Sequence, residues 1–164
     1  MAKKDKTQEK TNVMRLLDQA GLSYRHYCYL DSGAVNGLEV AAATGQDPAR
    51  VYKTLVTRGR SGANYVFVIP VGRELDLKKA AAAVGEKAVE MVKSKELLPL
   101  TGYIHGGCSP IGMKKPFPTV LDDSALGWDS IVFSAGKIGY QVDMAPGDLI
   151  GMTGCAAAPL TVED

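Results

Sequence analysis

The sequence predicts an α+β fold in which a single mixed, mostly antiparallel, barrel-like β-sheet is flanked by short helices. Strand-like and helix-like segments follow one another without the regular βαβ order of a parallel sheet. Two pairs of strand-like segments are separated only by short turns, at residues 61–64 and 135–137, as in antiparallel hairpins. The segment 65–70 is continuously apolar, which predicts a sheet that is covered on both faces or closed.

Five helical segments are predicted from cap residues followed by apolar residues at helical spacing. Asn12 is the expected N-cap of the first helix and Asp76 that of the third. A glycine follows each of the first three within two residues, and glycine is a common helix stop. The five segments are 13–20, 38–43, 77–84, a single turn that opens at Ser94, and a short helix that opens at Pro146.

Seven strands are predicted from β-branched and aromatic residues and from alternation. Their ranges are 23–29, 50–56, 65–70, 89–92, 119–121, 130–134 and 138–144. The stretch 101–118 is rich in glycine and proline and is predicted to be a loop.

The bulk composition indicates one soluble domain. The chain has 164 residues, of which 46% are apolar and 23% charged, and its net charge of +1 argues against a broad basic surface for nucleic acid. We expect a flexible basic N-terminus at 1–10, one domain at 11–155 and a C-terminal tail at 156–164. Neither a secretory signal nor a membrane span is evident, so we expect a cytoplasmic protein with no membrane partner.

Lys53 is an unusual residue for its position. Alternation places it on the same strand face as Val51 and Leu55, where an ammonium group is costly to desolvate. Three explanations are open: an ion pair, escape of the amine to water along its apolar stem, or a site that binds negative charge.

The glycine-rich loop invites a nucleophile hypothesis, because Cys108 and Ser109 lie three or four residues after His105. No Asp or Glu adjoins His105 to orient its imidazole, so a catalytic triad is poorly supported. The three cysteines are far apart and lack C-x-x-C spacing. We therefore expect free thiols, no metal site and no cofactor.

Four groups of residues in one order carry a family resemblance. They are Val51-Tyr52-Lys53-Thr54-Leu55-Val56, the stretch 75–81, the glycine-rich stretch 102–112, and Ser134-Ala135-Gly136-Lys137 together with 145–149. In this order and spacing the chain resembles the YbaK/EbsC family from about Thr11 to Leu149. The resemblance implies an α+β fold like the editing domain of prolyl-tRNA synthetase. It also implies an enzyme that removes mischarged cysteine from tRNA(Pro) by cleaving the aminoacyl ester, with Cys-tRNA(Cys) as a further substrate.

The resemblance also implies roles for individual residues. Lys53, Gly107 and Ser109 would be catalytic. Residues that would bind the substrate are Tyr29, Thr54, Gly106, Pro110, Ser134, Gly136 and Lys137. In the family mechanism the cysteine thiol attacks its own ester carbon, so the protein needs neither a nucleophile nor a metal.

The implied partners are the acceptor end of a mischarged tRNA and, as a further expectation, prolyl-tRNA synthetase. Two alternatives stay open at this point. The chain could edit another small amino acid such as alanine on tRNA(Pro), or it could bind tRNA or a nucleotide without catalysis.

Overall fold

The computed structural model describes residues 10–163, which form five α-helices and eight β-strands. The helices are α1 (Asn12–Gln19), α2 (Gly37–Ala43), α3 (Leu77–Val84), α4 (Ser94–Thr101) and α5 (Pro146–Thr153). The strands are β1 (Arg25–Cys28), β2 (Tyr52–Gly59), β3 (Asn64–Pro70), β4 (Val89–Met91), β5 (Thr119–Asp122), β6 (Ile131–Ser134), β7 (Tyr140–Met144) and β8 (Ala156–Ala158). The expected flexible N-terminus, residues 1–10, falls outside this part of the chain except for Lys10.

Side-chain caps begin three of the helices. Asp76 accepts hydrogen bonds from the backbone amides of Lys78 and Lys79, as predicted for α3. The N-cap of α1 is Thr11, whose hydroxyl accepts from the Met14 amide at 3.3 Å, and not Asn12 as predicted. An unpredicted capping box between Asn36 and Glu39 begins α2. Across residues 10–163, no helix has the length and apolar character needed to cross a membrane.

The strands form two sheets where one was predicted. One has the order β4-β2-β3-β5-β8 and the other the order β1-β7-β6. All pairs are antiparallel except β3–β5 and β5–β8, so the mixed and mostly antiparallel character is confirmed. A parallel bridge between Val51 and Val132 joins the sheets, and they remain an open arrangement. The α+β prediction is confirmed.

The prediction of a C-terminal tail is wrong for residues 156–161. Strand β8 lies there and pairs with β5, and Thr161 forms a bridge to Leu75. Leu160 is fully buried, and its amide donates to Asp122 Oδ1 at 2.9 Å. Three small alanines carry little sequence signal for a strand, so long-range pairing alone decides their structure.

The core is divided by β3, which is buried on both faces as its apolar run predicted. Val66 and Val68 pack in the larger cluster with α1, β6 and β7. Phe67 and Ile69 pack on the other side against Ala80 and Ala81 of α3. The sheet therefore has apolar contacts on two sides, as a continuous apolar strand requires.

Arg50 and Asp143 form an ion pair that ties the two sheets together. The guanidinium donates to both carboxylate oxygens at 3.1 Å and also to Ser130, while the Tyr27 hydroxyl donates to Asp143 at 2.7 Å. Burial acts to raise the pKa of Asp143, but the hydrogen bonds from Arg50, Ser130 and Tyr27 outweigh it and hold the pKa below its usual value.

We predict that Asp143→Asn destabilises the protein by about 3 kcal/mol, because it leaves the largely buried guanidinium of Arg50 without its counter-charge. A carboxyl with a lowered folded-state pKa stabilises the fold above its unfolded pKa of about 4, and that contribution is lost as the pH falls through the folded pKa. The free energy of unfolding should therefore fall less steeply at acidic pH in the variant than in the native protein. Urea unfolding at several pH values measures this.

The control is Asp31→Asn, because Asp31 is exposed. It should leave both the stability at pH 7 and its fall at acidic pH unchanged. Equal stability of Asp143→Asn and the native protein at pH 7 would contradict the structural role of the pair.

Candidate active site

One edge of β2 is left open, and a cleft lies against it. On its other edge β2 pairs with β3 from Tyr52 to Arg58. On the open side β6 meets it only at Val51, and β4 begins to pair only at Thr57. Within the described chain, residues 52–56 therefore have no strand partner on this side. The cleft has a volume of about 530 Å³, which suits a small ligand or the end of a larger one.

The backbone of Thr54 faces this cleft. The Val56 carbonyl accepts from the Val92 amide at 3.1 Å, and the Arg60 amide donates to Ala88 at 3.0 Å, so even-numbered residues direct their backbone groups toward the open side. Thr54 follows the same alternation and lines the cleft. Its Oγ1 is buried without a hydrogen-bond partner in residues 10–163. Thr54 therefore offers both backbone and side-chain groups to a ligand.

Lys53 lines the cleft with its ammonium group half-buried. Nζ lies 3.5 Å from the Val71 carbonyl oxygen and makes no ion pair with the described residues. Desolvation lowers the pKa of Lys53 from its usual value, and the negative charge of Glu74 offsets part of that effect. Of the three explanations for this lysine, the ion pair is therefore not observed, and the cleft fits a site for negative charge.

The glycine-rich loop reaches the cleft only in part. Gly106 and Cys108 line it, whereas Gly107, Ser109 and Pro110 do not. The Gly107 amide donates to the Ile104 carbonyl at 3.0 Å, so it is already engaged within the loop. Ser109 is fully buried, and its Oγ accepts from the Ile111 amide.

Close packing explains the glycines of this loop. A Cβ on Gly107 would lie 3.1 Å from the Ile138 nitrogen, and Gly106 has a φ of +90°. The loop thus presses against the turn 136–139. Pro110 lines a second hollow of about 390 Å³, which shares no lining residue with the cleft.

The remaining predicted residues divide in the same way. Tyr29 and Ser134 line the cleft, whereas Gly136 and Lys137 do not. Gly136 has a φ of +89°, and its amide donates to Ser134 Oγ at 3.1 Å. Lys137 Nζ lies 5.3 Å from the centre of the Tyr140 ring. The structure therefore gathers Lys53, Thr54, Tyr29, Gly106 and Ser134 around one cleft.

Gln141 is a cleft residue that the sequence analysis missed. It lies on β7 directly opposite Ser134, lines the cleft, and is 6% exposed. Its Oε1 is buried without a hydrogen-bond partner in the described residues. The signal was an amide side chain between Tyr140 and Val142, in a strand whose other polar side chain, Asp143, is paired with Arg50.

Cys108 and His105 do not form a nucleophile and base. The Cys108 thiol is buried, and desolvation raises its pKa to about 12 although a hydrogen bond with Thr101 acts to lower it. His105 is exposed at the cleft. Among residues 10–163, no three His, Cys, Asp or Glu side chains form a group that could hold a metal ion.

Comparison with known protein families places this cleft in a functional context. Residues 34–152 match the model of the aminoacyl-tRNA editing domain, which is more than half of the chain. The chain belongs to the aminoacyl-tRNA editing family. The matched residues include β2, the glycine-rich loop and β7, so the editing domain contains every lining residue of the cleft except Tyr29.

Individual relatives of this editing domain agree with the assignment. The chain is 46% identical, over 100% of both lengths, to an Enterococcus faecalis protein named for Cys-tRNA(Pro)/Cys-tRNA(Cys) deacylation, EbsC. It is 34% identical over 76 residues to a proline–tRNA ligase of Thermosipho melanesiensis, which is 46% of this chain and 13% of the ligase. A solved structure described as a trans-editing enzyme for prolyl-tRNA synthetase superposes with a TM-score of 0.80 at 27% identity, covering 94% of this chain and 100% of the other.

We predict that the Cys108 thiol is unreactive in the folded protein, because its raised pKa leaves very little thiolate. Cys155 is also buried, and desolvation raises its pKa as well, so only the partly exposed Cys28 should react quickly with a disulfide reagent. The chromophore that the disulfide reagent releases, measured before and after unfolding, gives the number of reactive thiols. Cys108→Ala should leave the fast phase unchanged and Cys28→Ala should remove it; fast labelling of Cys108 would revive the nucleophile hypothesis.

Proposed function

We propose that this editing-family protein is a free-standing deacylase that removes cysteine from mischarged Cys-tRNA(Pro), with Cys-tRNA(Cys) as a second substrate. The observation that carries the proposal is the cleft along the open edge of β2, which is lined by Lys53 and Thr54 and in which the Cys108 thiol is buried with a raised pKa. Full-length similarity to a relative named for this deacylation supports the choice of cysteine.

The chemistry follows from what the cleft offers. The thiol sulfur of the bound cysteine attacks its own ester carbon, a C–S bond forms and the C–O bond to the terminal ribose breaks. The ribose oxygen takes up a proton, the thiol loses one, and water then opens the cyclic thioester to give free cysteine. The protein has to hold the reacting groups close together and stabilise the negative charge on the carbonyl oxygen.

Lys53 and Thr54 are the residues suited to that stabilisation. Lys53 supplies positive charge toward the terminal phosphate and the ester, and Thr54 directs its backbone toward the cleft at the open edge. Gly107 and Ser109 then contribute by shaping the loop, since their hydrogen-bonding groups are engaged inside it. Tyr29, Gly106 and Ser134 form the wall around the aminoacyl group.

The partner is the acceptor end of a mischarged tRNA in the cytoplasm. A net charge of +1 suits a protein that grips only this end, so tRNA selection would come from another protein. Prolyl-tRNA synthetase is our candidate for this second protein, and the stretch shared with a proline–tRNA ligase supports the choice.

We predict that Lys53→Ala lowers the rate of cysteine release from Cys-tRNA(Pro) at least about a hundredfold, because it removes charge stabilisation from the transition state. Release of radiolabelled cysteine in single-turnover assays measures the rate. The matched control is Lys78→Ala on α3, outside the cleft, which should keep full activity. Full activity of the Lys53 variant would refute the proposed role of Lys53, whereas saturable tRNA binding without turnover by the native protein would favour a binding module without catalysis.

We also predict that the reaction requires a free thiol on the substrate. Cys-tRNA(Pro) should be deacylated, whereas Ala-tRNA(Pro) and S-methylcysteinyl-tRNA(Pro), which lack the nucleophile, should react no faster than without protein. The same single-turnover assay compares them. Preferential release of alanine would instead identify an editor of a different small amino acid.

A further inference from the structure

Gln141 presents an unmet hydrogen-bonding group inside the cleft. The side chain is 94% buried, since the residue is 6% exposed, and its Oε1 has no partner in the described residues. A buried acceptor without a donor is costly to the folded protein, so such groups are few. A ligand that brings a donor to this atom removes that cost on binding.

The walls of the cleft show which part of a substrate reaches Gln141. Val51, Tyr52 and Val56, which also line the cleft, are at most 2% exposed, whereas Val35 and Leu38 at its margin are 85% and 52% exposed. Gln141 thus belongs to the buried end. The aminoacyl group is the narrow terminus of a charged tRNA, so it enters deepest and leaves the ribose and bases nearer the mouth.

An aminoacyl group brings one strong donor, its α-amino group. The thiol of cysteine donates only weakly, and the ester oxygens accept hydrogen bonds and cannot donate them. We propose that Gln141 Oε1 accepts a hydrogen bond from the α-amino group of the aminoacyl ester and so sets the position of the cysteine in the cleft. This inference rests on the proposed deacylase function.

The chemistry of the cleft suits a neutral acceptor at this position. No Asp or Glu lines the cleft in the described chain, and Lys53 is the charged side chain in its wall. A carboxylate in place of the amide would compete with the substrate for the Lys53 ammonium. The amide holds the amino group while leaving that positive charge free for the phosphate and the ester.

Ser134 stands beside Gln141 and helps to define this subsite. The two residues are direct cross-strand partners, so their side chains lie on the same face of the β6–β7 pair. Ser134 Oγ is itself held by the Gly136 amide. The turn after β6 therefore fixes the Ser134 side chain, beside which the amino group would bind.

The test compares two substrates, Cys-tRNA(Pro) and a desamino analogue in which hydrogen replaces the α-amino group while the thiol and ester are kept. The native protein should deacylate the analogue about tenfold to a hundredfold more slowly, the range expected for one hydrogen bond to a charged donor. Gln141→Met should lose the same factor on Cys-tRNA(Pro) and nothing further on the analogue, so that the preference disappears.

Two further variants keep the result interpretable. Gln19→Met changes an exposed glutamine on α1 and should retain both the rates and the preference. Gln141→Glu keeps an acceptor oxygen and should retain a preference for the substrate with the amino group. Thermal unfolding of every variant confirms that the rates come from folded protein.

Several outcomes would overturn the inference. Equal losses on both substrates in Gln141→Met would point to the ribose hydroxyl as the partner, and an unchanged preference would remove Gln141 from substrate binding. Loss of the preference in folded Gln141→Glu would also contradict it. Equal rates of the native protein on both substrates would refute the inference but leave the deacylase proposal standing, whereas no reaction with either substrate would refute the deacylase itself.

Discussion

The ion pair between Arg50 and Asp143 is the constraint on which the site depends. It joins the two sheets beside the bridge between Val51 and Val132, and it adds to the apolar packing between them. Arg50 lies three residues before Lys53, and Asp143 lies two residues after Gln141. The pair therefore fixes the separation of the two cleft walls, one built on β2 and the other on β7. Its burial makes it costly to break, so the separation is rigid.

Much of the fold was predictable from local rules. Helix α3 was predicted to the residue because a cap and a stop glycine bound it, and β3 was recognised from its continuous apolar run. The strand that contains Lys53 was also predicted, and Lys53 was singled out because a charged residue among apolar neighbours is easily recognised in the sequence. Local propensity could not reveal the division into two sheets or the pairing of β8, because both depend on contacts between distant segments.

The site shows why residue type alone is ambiguous. A glycine in a loop is equally suited to present its amide to a ligand and to let two segments touch. Gly107 does the second, with its amide bonded to Ile104 and its α-carbon against Ile138. Gln141 shows the opposite failure. A single amide in a strand does not by itself indicate function, and only folding buries Gln141 beside the cleft.

The open edge of β2 also limits what can enter. An exposed strand edge usually invites another strand to pair with it. Here β6 and β4 close both ends of the gap, leaving only residues 52–56, or roughly 16 Å at ~3.3 Å per residue. A gap bounded at both ends leaves room for only about five residues to pair along β2. The open edge can therefore receive the end of a ligand, but it cannot extend the sheet by a full strand.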